Sequence, residues 1–182
     1  GCFSCWVKTP GRCGLRDDMT HEIFPKWVQS DIAVYATPLY CHHMNALMST
    51  FLERCLPAVL PFFEIGATRT KHPVRDRTPK AVWLSVCGFP NLSEFSAFSH
   101  YLRYSNKDNL IAEIYRPSAE SMVAEKYSEK LEEIQNALKN AGRELVVSGA
   151  IAAETLAIIT QPLDSDQAIA NEVNAFWNES IR

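Results

Sequence analysis

Three short apolar runs that lack polar alternation leave this chain few folds to choose from. They are Asp31-Ile-Ala-Val-Tyr-Ala36, Ala81-Val-Trp-Leu-Ser-Val-Cys87 and Leu110-Ile-Ala-Glu-Ile-Tyr115. A strand with no polar face is buried on both faces, which is the signature of a parallel sheet covered by helices. Helical patterns alternate with the runs. Residues 42–56 place Met44, Leu47, Met48, Phe51, Leu52 and Cys55 on one stripe, and Pro57 ends it. Leu92, Phe95, Phe98 and Leu102 mark a helix capped by Asn91 or Ser93. Residues 120–147 read as one long helix with Val123, Tyr127, Leu131, Ile134, Leu138, Ala141 and Leu145 inward, stopped near Gly149. Shorter helices are expected over residues 19–29, where Pro25 kinks the helix or delays its start, over 152–160, and over 165–179. The fold class is α/β.

Bulk properties narrow the function classes. The 182 residues suit one domain with a sizeable core, or a domain and an arm. A net charge of −3 gives no reason to expect a nucleic-acid partner. No apolar stretch approaches the ~18 residues of a membrane span. Six cysteines could suggest an oxidised, secreted framework, yet Cys41, Cys55 and Cys87 stand singly in apolar runs and read as buried thiols. A reducing, cytoplasmic setting is expected.

The chemistry concentrates in three segments. Cys2, Cys5 and Cys13 have C-x2-C-x7-C spacing and precede Asp17-Asp18-Met19. Thr37-Pro38-Leu39-Tyr40-Cys41-His42-His43 follows the first strand, and Cys87-Gly88-Phe89-Pro90-Asn91 follows the second. Ligands of doubly wound sheets bind outside the carboxyl ends of the strands, where both loops belong. Phe51-Leu52-Glu53-Arg54 closes the first helix.

This order resembles the flavodoxin-like NAD(P)H-dependent FMN reductases, including their iron–sulfur flavoprotein branch. The resemblance implies a flavodoxin-like doubly wound parallel sheet over residues 1–147, incomplete at its amino end, and a helical extension over 148–182. The three strands match the family's last three, so the first two strands and the phosphate-binding turn are expected upstream of residue 1. No Gly-rich phosphate loop occurs within the chain. The resemblance further implies an FMN-dependent NAD(P)H oxidoreductase that passes electrons to a quinone, flavin or metal acceptor. The second reading is an FMN and 4Fe–4S electron-transfer protein with a ferredoxin-like partner. A third is a subunit completed by another chain. Relatives of this kind are homodimers or homotetramers.

The flavin-binding residues so implied are Thr37, Pro38, Leu39, Tyr40, Cys87, Gly88 and Phe89. Pro38 stiffens the first turn, and backbone amides with the Thr37 hydroxyl suit the ring's polar edge. Tyr40 and Phe89 suit its flat face, and Gly88 permits close backbone approach. The flavin supplies the chemistry, so no side chain is required as acid or base. Cys2, Cys5 and Cys13 match the last three cysteines of the branch's cluster motif, with the first lying before residue 1. A 4Fe–4S cluster, a zinc ion with His21 as fourth ligand, and free or redox-active thiols all stay open. In the Phe-x-Asp-Arg signature Glu53 replaces Asp, leaving a pairing with Arg54 open. Asp17 and Asp18 read as helix caps rather than a catalytic pair. Arg69, Lys71, Arg75, Arg77 and Lys80 form a basic loop, solvated or receptive to dinucleotide phosphates.

Overall fold

The computed structural model describes residues 2–181. The chain divides into two compact units: residues up to Ala33 with Ala46–Lys80, and Val34–Asn45 with residues from Ala81 onward.

The second unit holds the central sheet. Its strands are β1 (Ile32–Tyr40, which begins in the first unit), β2 (His43–Met44), β5 (Lys80–Val86) and β6 (Leu110–Arg116), in the order β2-β1-β5-β6. β3 (Glu64–Ile65) and β4 (Thr70–Lys71) form a separate antiparallel pair in the first unit. β5 and β6 run parallel, from Val82 opposite Ala112 to Val86 opposite Arg116. The Lys80 N–H donates to the Asp31 carbonyl at 2.9 Å, tying the starts of β5 and β1. The architecture is therefore α/β with a mostly parallel sheet, compatible with a flavodoxin-like fold.

β5 and β6 keep nearly all of their residues buried or half-buried, whereas β1 buries Tyr35 and Thr37 but exposes Val34 and Ala36, so the expected burial of its run on both faces is corrected to one face. Tyr35 stacks on Trp83 at 4.5 Å, and the edge of Trp83 meets Phe98 at 5.6 Å. Phe98 and Leu102 belong to α4 (Ser96–Ser105) and are fully buried. Burying side chains of this size stabilises by about 1.5–3 kcal/mol each. Farther along, α5 (Ser128–Ser148), α6 (Ala153–Thr160) and α7 (Asp166–Ser180) enclose a cluster of Tyr127, Ile134, Leu163 and Ile169. Gly149 ends α5 at φ 71°, a left-handed position that glycine takes without steric cost. Ser165 caps α7 by accepting from the Ala168 N–H.

In the first unit α1 (Ser4–Val7), α2 (Phe24–Gln29) and α3 (Ala46–Glu53) carry the helices. A π-type turn over Met19–Ile23 leads into α2, so Pro25 falls in the first turn, where its missing N–H is harmless. Asp17 Oδ1 accepts from the Thr20 N–H at 3.1 Å and Asp18 Oδ1 from the Met19 N–H at 2.8 Å, the capping expected of this pair.

Three further expectations are corrected. The residue 42–56 helix is shorter, because Leu39 and Tyr40 pair with Met44 and His43 in a hairpin and α3 starts only at Ala46. Leu47 is consequently exposed, and Met44 is buried from a strand. The long helix begins at Ser128, because Ala124 is extended and divides the preceding stretch into two 3-10 turns, leaving Val123 exposed. Cys41 is exposed at the hairpin turn, whereas Cys87 is buried. No helix among the described residues is long and apolar enough to cross a membrane.

Candidate functional site

The cysteine segment folds back on itself. Gly11, at φ 81°, donates its N–H to the Cys5 carbonyl at 2.9 Å, and Arg12 donates to the Thr9 carbonyl at 2.9 Å. The turn returns Cys13 toward Cys5. α1 is held by Trp6, whose Nε1–H donates to the Val59 carbonyl at 2.9 Å. Cys2, Cys5 and Cys13 thereby line one cavity of about 610 Å³, with Phe3, Leu15 and Arg54 in its wall. All six cysteines are free thiols.

Arg54 organises the Cys13 side of this cavity. Its Nη1 donates to Asp17 Oδ2 at 2.6 Å and its Nη2 to Asp17 Oδ1 at 2.9 Å, a two-pronged pair. Nη2 also reaches Thr20 Oγ1 at 3.3 Å and Cys13 Sγ at 3.7 Å. The Arg54 hydrogen bond holds the Asp17 carboxyl well below the usual carboxylate range. Burial pushes the Cys13 thiol up, but hydrogen bonds from the Leu15 amide, Arg54 and Thr20 reverse this and leave it below its ordinary value. Cys5 goes the other way, raised by burial and by neighbouring Cys13 and Cys2, with Arg75 opposing. Glu53 is not the partner of Arg54: the nearby loop carboxylate takes both prongs of the fork.

Donor chemistry decides which centre the cavity suits. Among the described residues no three of His, Cys, Asp and Glu converge to hold one metal ion, so Cys2, Cys5, Cys13 and His21 do not form a ready zinc site. A cubane differs, because its thiolates sit at separate corners of the cluster rather than around a single atom. Three soft thiols around a cavity of this size fit three corners of such a cluster, and no fourth cysteine lines the cavity among the described residues.

The other predicted residues lie at the ends of two adjacent strands of the second unit. β1 and β5 are sheet neighbours with their starts tied together, so Thr37–Tyr40 and Cys87–Phe89 emerge at the same edge of the sheet. The first segment is strand, not loop. The buried Thr37 hydroxyl accepts from the Asn45 N–H at 3.1 Å and donates to the Pro38 carbonyl at 3.0 Å, so it shapes the hairpin instead of facing outward. Cys41 and His42, at φ 50° and 60°, form the hairpin turn. Leu39 is half-buried, while Tyr40 and Phe89 expose most of their rings.

The second segment is pinned from β6. Ser118 and Ala119 donate N–H groups to the Phe89 and Cys87 carbonyls, each at 2.9 Å. The Cys87 thiol, raised by burial, donates to the Phe89 carbonyl at 3.5 Å. A Cβ at Gly88 would stand 3.3 Å from the Glu120 carboxylate, so a larger residue there requires that exposed side chain to give way. Tyr40 and Phe89 thus present exposed rings, while the Thr37 hydroxyl, expected at a ligand's polar edge, is engaged internally.

Two residues escaped the sequence reading. Arg75, placed in the basic loop, packs instead against Gly11, with Cδ 3.0 Å from where a Cβ would lie. Asp17 was read as a cap, and nothing in its local sequence announces Arg54, 37 positions away.

Over 57 residues the chain is 40% identical to an iron–sulfur flavoprotein of Archaeoglobus fulgidus. The stretch is 31% of this chain and 24% of that protein's length. No protein-family model and no solved structure matches the chain.

Proposed function

We propose that this chain belongs to an electron-transfer flavoprotein that carries an iron–sulfur cluster on Cys2, Cys5 and Cys13. The observation that carries the reading is the gathering of these thiols around one cavity, with Arg54 donating toward Cys13. The partial likeness to an iron–sulfur flavoprotein supports it. When bound, a cluster moves single electrons and a flavin moves them singly or in pairs. The chain's own contribution is positional. The Gly11 turn and the Arg54–Asp17 pair hold two of the thiols, and Phe3 and Leu15 add apolar surface to the cavity wall. Tyr40 and Phe89 offer faces for an FMN ring, and the hydrogen-bonded Cys87-Gly88-Phe89 segment keeps one of them in place.

A second reading, an NAD(P)H-dependent FMN oxidoreductase that reduces a quinone, flavin or metal acceptor, draws on the exposed Tyr40 and Phe89 rim. Both readings take a small-molecule acceptor or a redox protein as partner and a cytoplasmic, homo-oligomeric setting. Iron and acid-labile sulfide analysis after anaerobic purification separates them. The cluster reading expects the two elements in equal amounts and their loss in the Cys5→Ser and Cys13→Ser variants. Negligible iron after anaerobic reconstitution of the unaltered full-length protein removes it. At the rim, Tyr40→Ala is expected to weaken FMN binding by about 1 kcal/mol, roughly fivefold, in a fluorescence titration.

A further inference from the structure

Two guanidinium groups stand behind the cysteine loop, and each has a nitrogen with no use in the fold. Arg54 Nε and Arg75 Nε are buried and find no hydrogen-bond partner among the described residues. A buried donor left unpaired is costly, so such groups call for an explanation. The two bracket the loop from opposite ends. Arg54 grips Asp17 and donates to Cys13 Sγ. Arg75 lies over Gly11, which is hydrogen-bonded to Cys5, and its charge acts on Cys5. Arg75 is itself fixed, since its N–H donates to the Ala58 carbonyl at 2.7 Å and neighbouring Val74 bridges to Val59. Other basic residues of that segment have different roles: Arg77 pairs with Asp31 and Lys71 with Glu64.

We propose that Arg54 and Arg75 form a guanidinium clamp that positions the cysteine loop and offsets the negative charge of the thiolate-held cluster. The inference rests on the cluster reading above. Thiolate ligands bring net negative charge into the cavity, and a one-electron reduction adds one more. Two fixed cations therefore favour the reduced form and raise the potential. The electron comes from an external one-electron donor and remains on the cluster, so no bond of the chain is made or broken.

The test has two arms. In reconstituted, anaerobic protein, the reduced-to-oxidised ratio is read by electron paramagnetic resonance at a fixed dithionite poise. Arg75→Gln, which leaves the Arg54–Asp17 pair intact, is expected to lower the ratio at least tenfold, equivalent to 59 mV for one electron. Arg75→Lys should restore most of it. A ratio within twofold of the unaltered protein in Arg75→Gln, with iron content retained, overturns the clamp and leaves the cluster reading standing. The second arm uses metal-free protein and hydrogen–deuterium exchange. Arg54→Gln and Asp17→Asn should each speed exchange at least tenfold in the peptide spanning residues 10–20, with residues 128–148 unchanged. That result in a chain that never binds iron keeps the positioning role and sinks the cluster. No change in that peptide overturns the clamp.

Discussion

Arg116 shows what a single residue can carry unnoticed in a sequence. It follows the apolar run ending at Tyr115, where a charged residue would be expected at the surface, yet it is only 5% exposed. Its Nη1 donates to the Ile159 carbonyl at 2.9 Å and to the Gln161 carbonyl at 2.7 Å, and its Nε donates to the Pro117 carbonyl at 2.8 Å. The orphan carbonyls at the end of α6 thereby gain a cation, which their dipole favours. Burial pulls the Arg116 pKa below the ordinary arginine value. Removing the side chain strands buried carbonyls, so Arg116→Ala is expected to cost about 2–4 kcal/mol in urea unfolding. Arg116→Lys should recover only part of this, because an ammonium lacks the fork that reaches separate carbonyls. The Arg54–Asp17 pair was equally invisible: local spacing cannot disclose a partner 37 positions away.

Elements were legible where packing and local propensity agreed. β5 and β6 lie within a residue of their apolar runs, and the Gly149 stop and Ser165 cap fall where their residue types predict. The hairpin was not legible. Its turn is Cys41-His42 rather than Asn-Gly, and Pro38 argues against a strand. What holds it is the Thr37–Asn45 hydrogen bond and the burial of Met44. Two non-glycine residues at positive φ make the turn strained, at about 1–2 kcal/mol each. His42→Gly is therefore expected to raise stability by about 1 kcal/mol in thermal unfolding. The exposed His42–Glu94 contact it removes is worth little. At the site, the cysteine spacing disclosed the thiols that share a cavity. The guanidiniums around them came from α3's end and from a run that looked like plain surface charge.

At the scale of the whole molecule the sheet has an unfinished side. β2 pairs with β1 only at Leu39 and Tyr40, so the earlier part of β1 lies at the sheet's outer edge among the described residues. Val34 is 60% exposed there. Free strand edges recruit other strands, so the chain is expected to self-associate as concentration rises. Light scattering after size exclusion should show this, and Ala36→Lys should suppress it. The division of the chain has another consequence. The first unit is assembled from two stretches separated by Val34–Asn45. A ribosome therefore releases Cys2, Cys5 and Cys13 before Arg54 and Arg75 have been polymerised. Translation supplies the missing sixty or so residues at ~5–20 per second. For several seconds the nascent thiols have neither counter-ions nor a finished chamber, so under the cluster proposal iron insertion is expected after translation of that unit rather than during it.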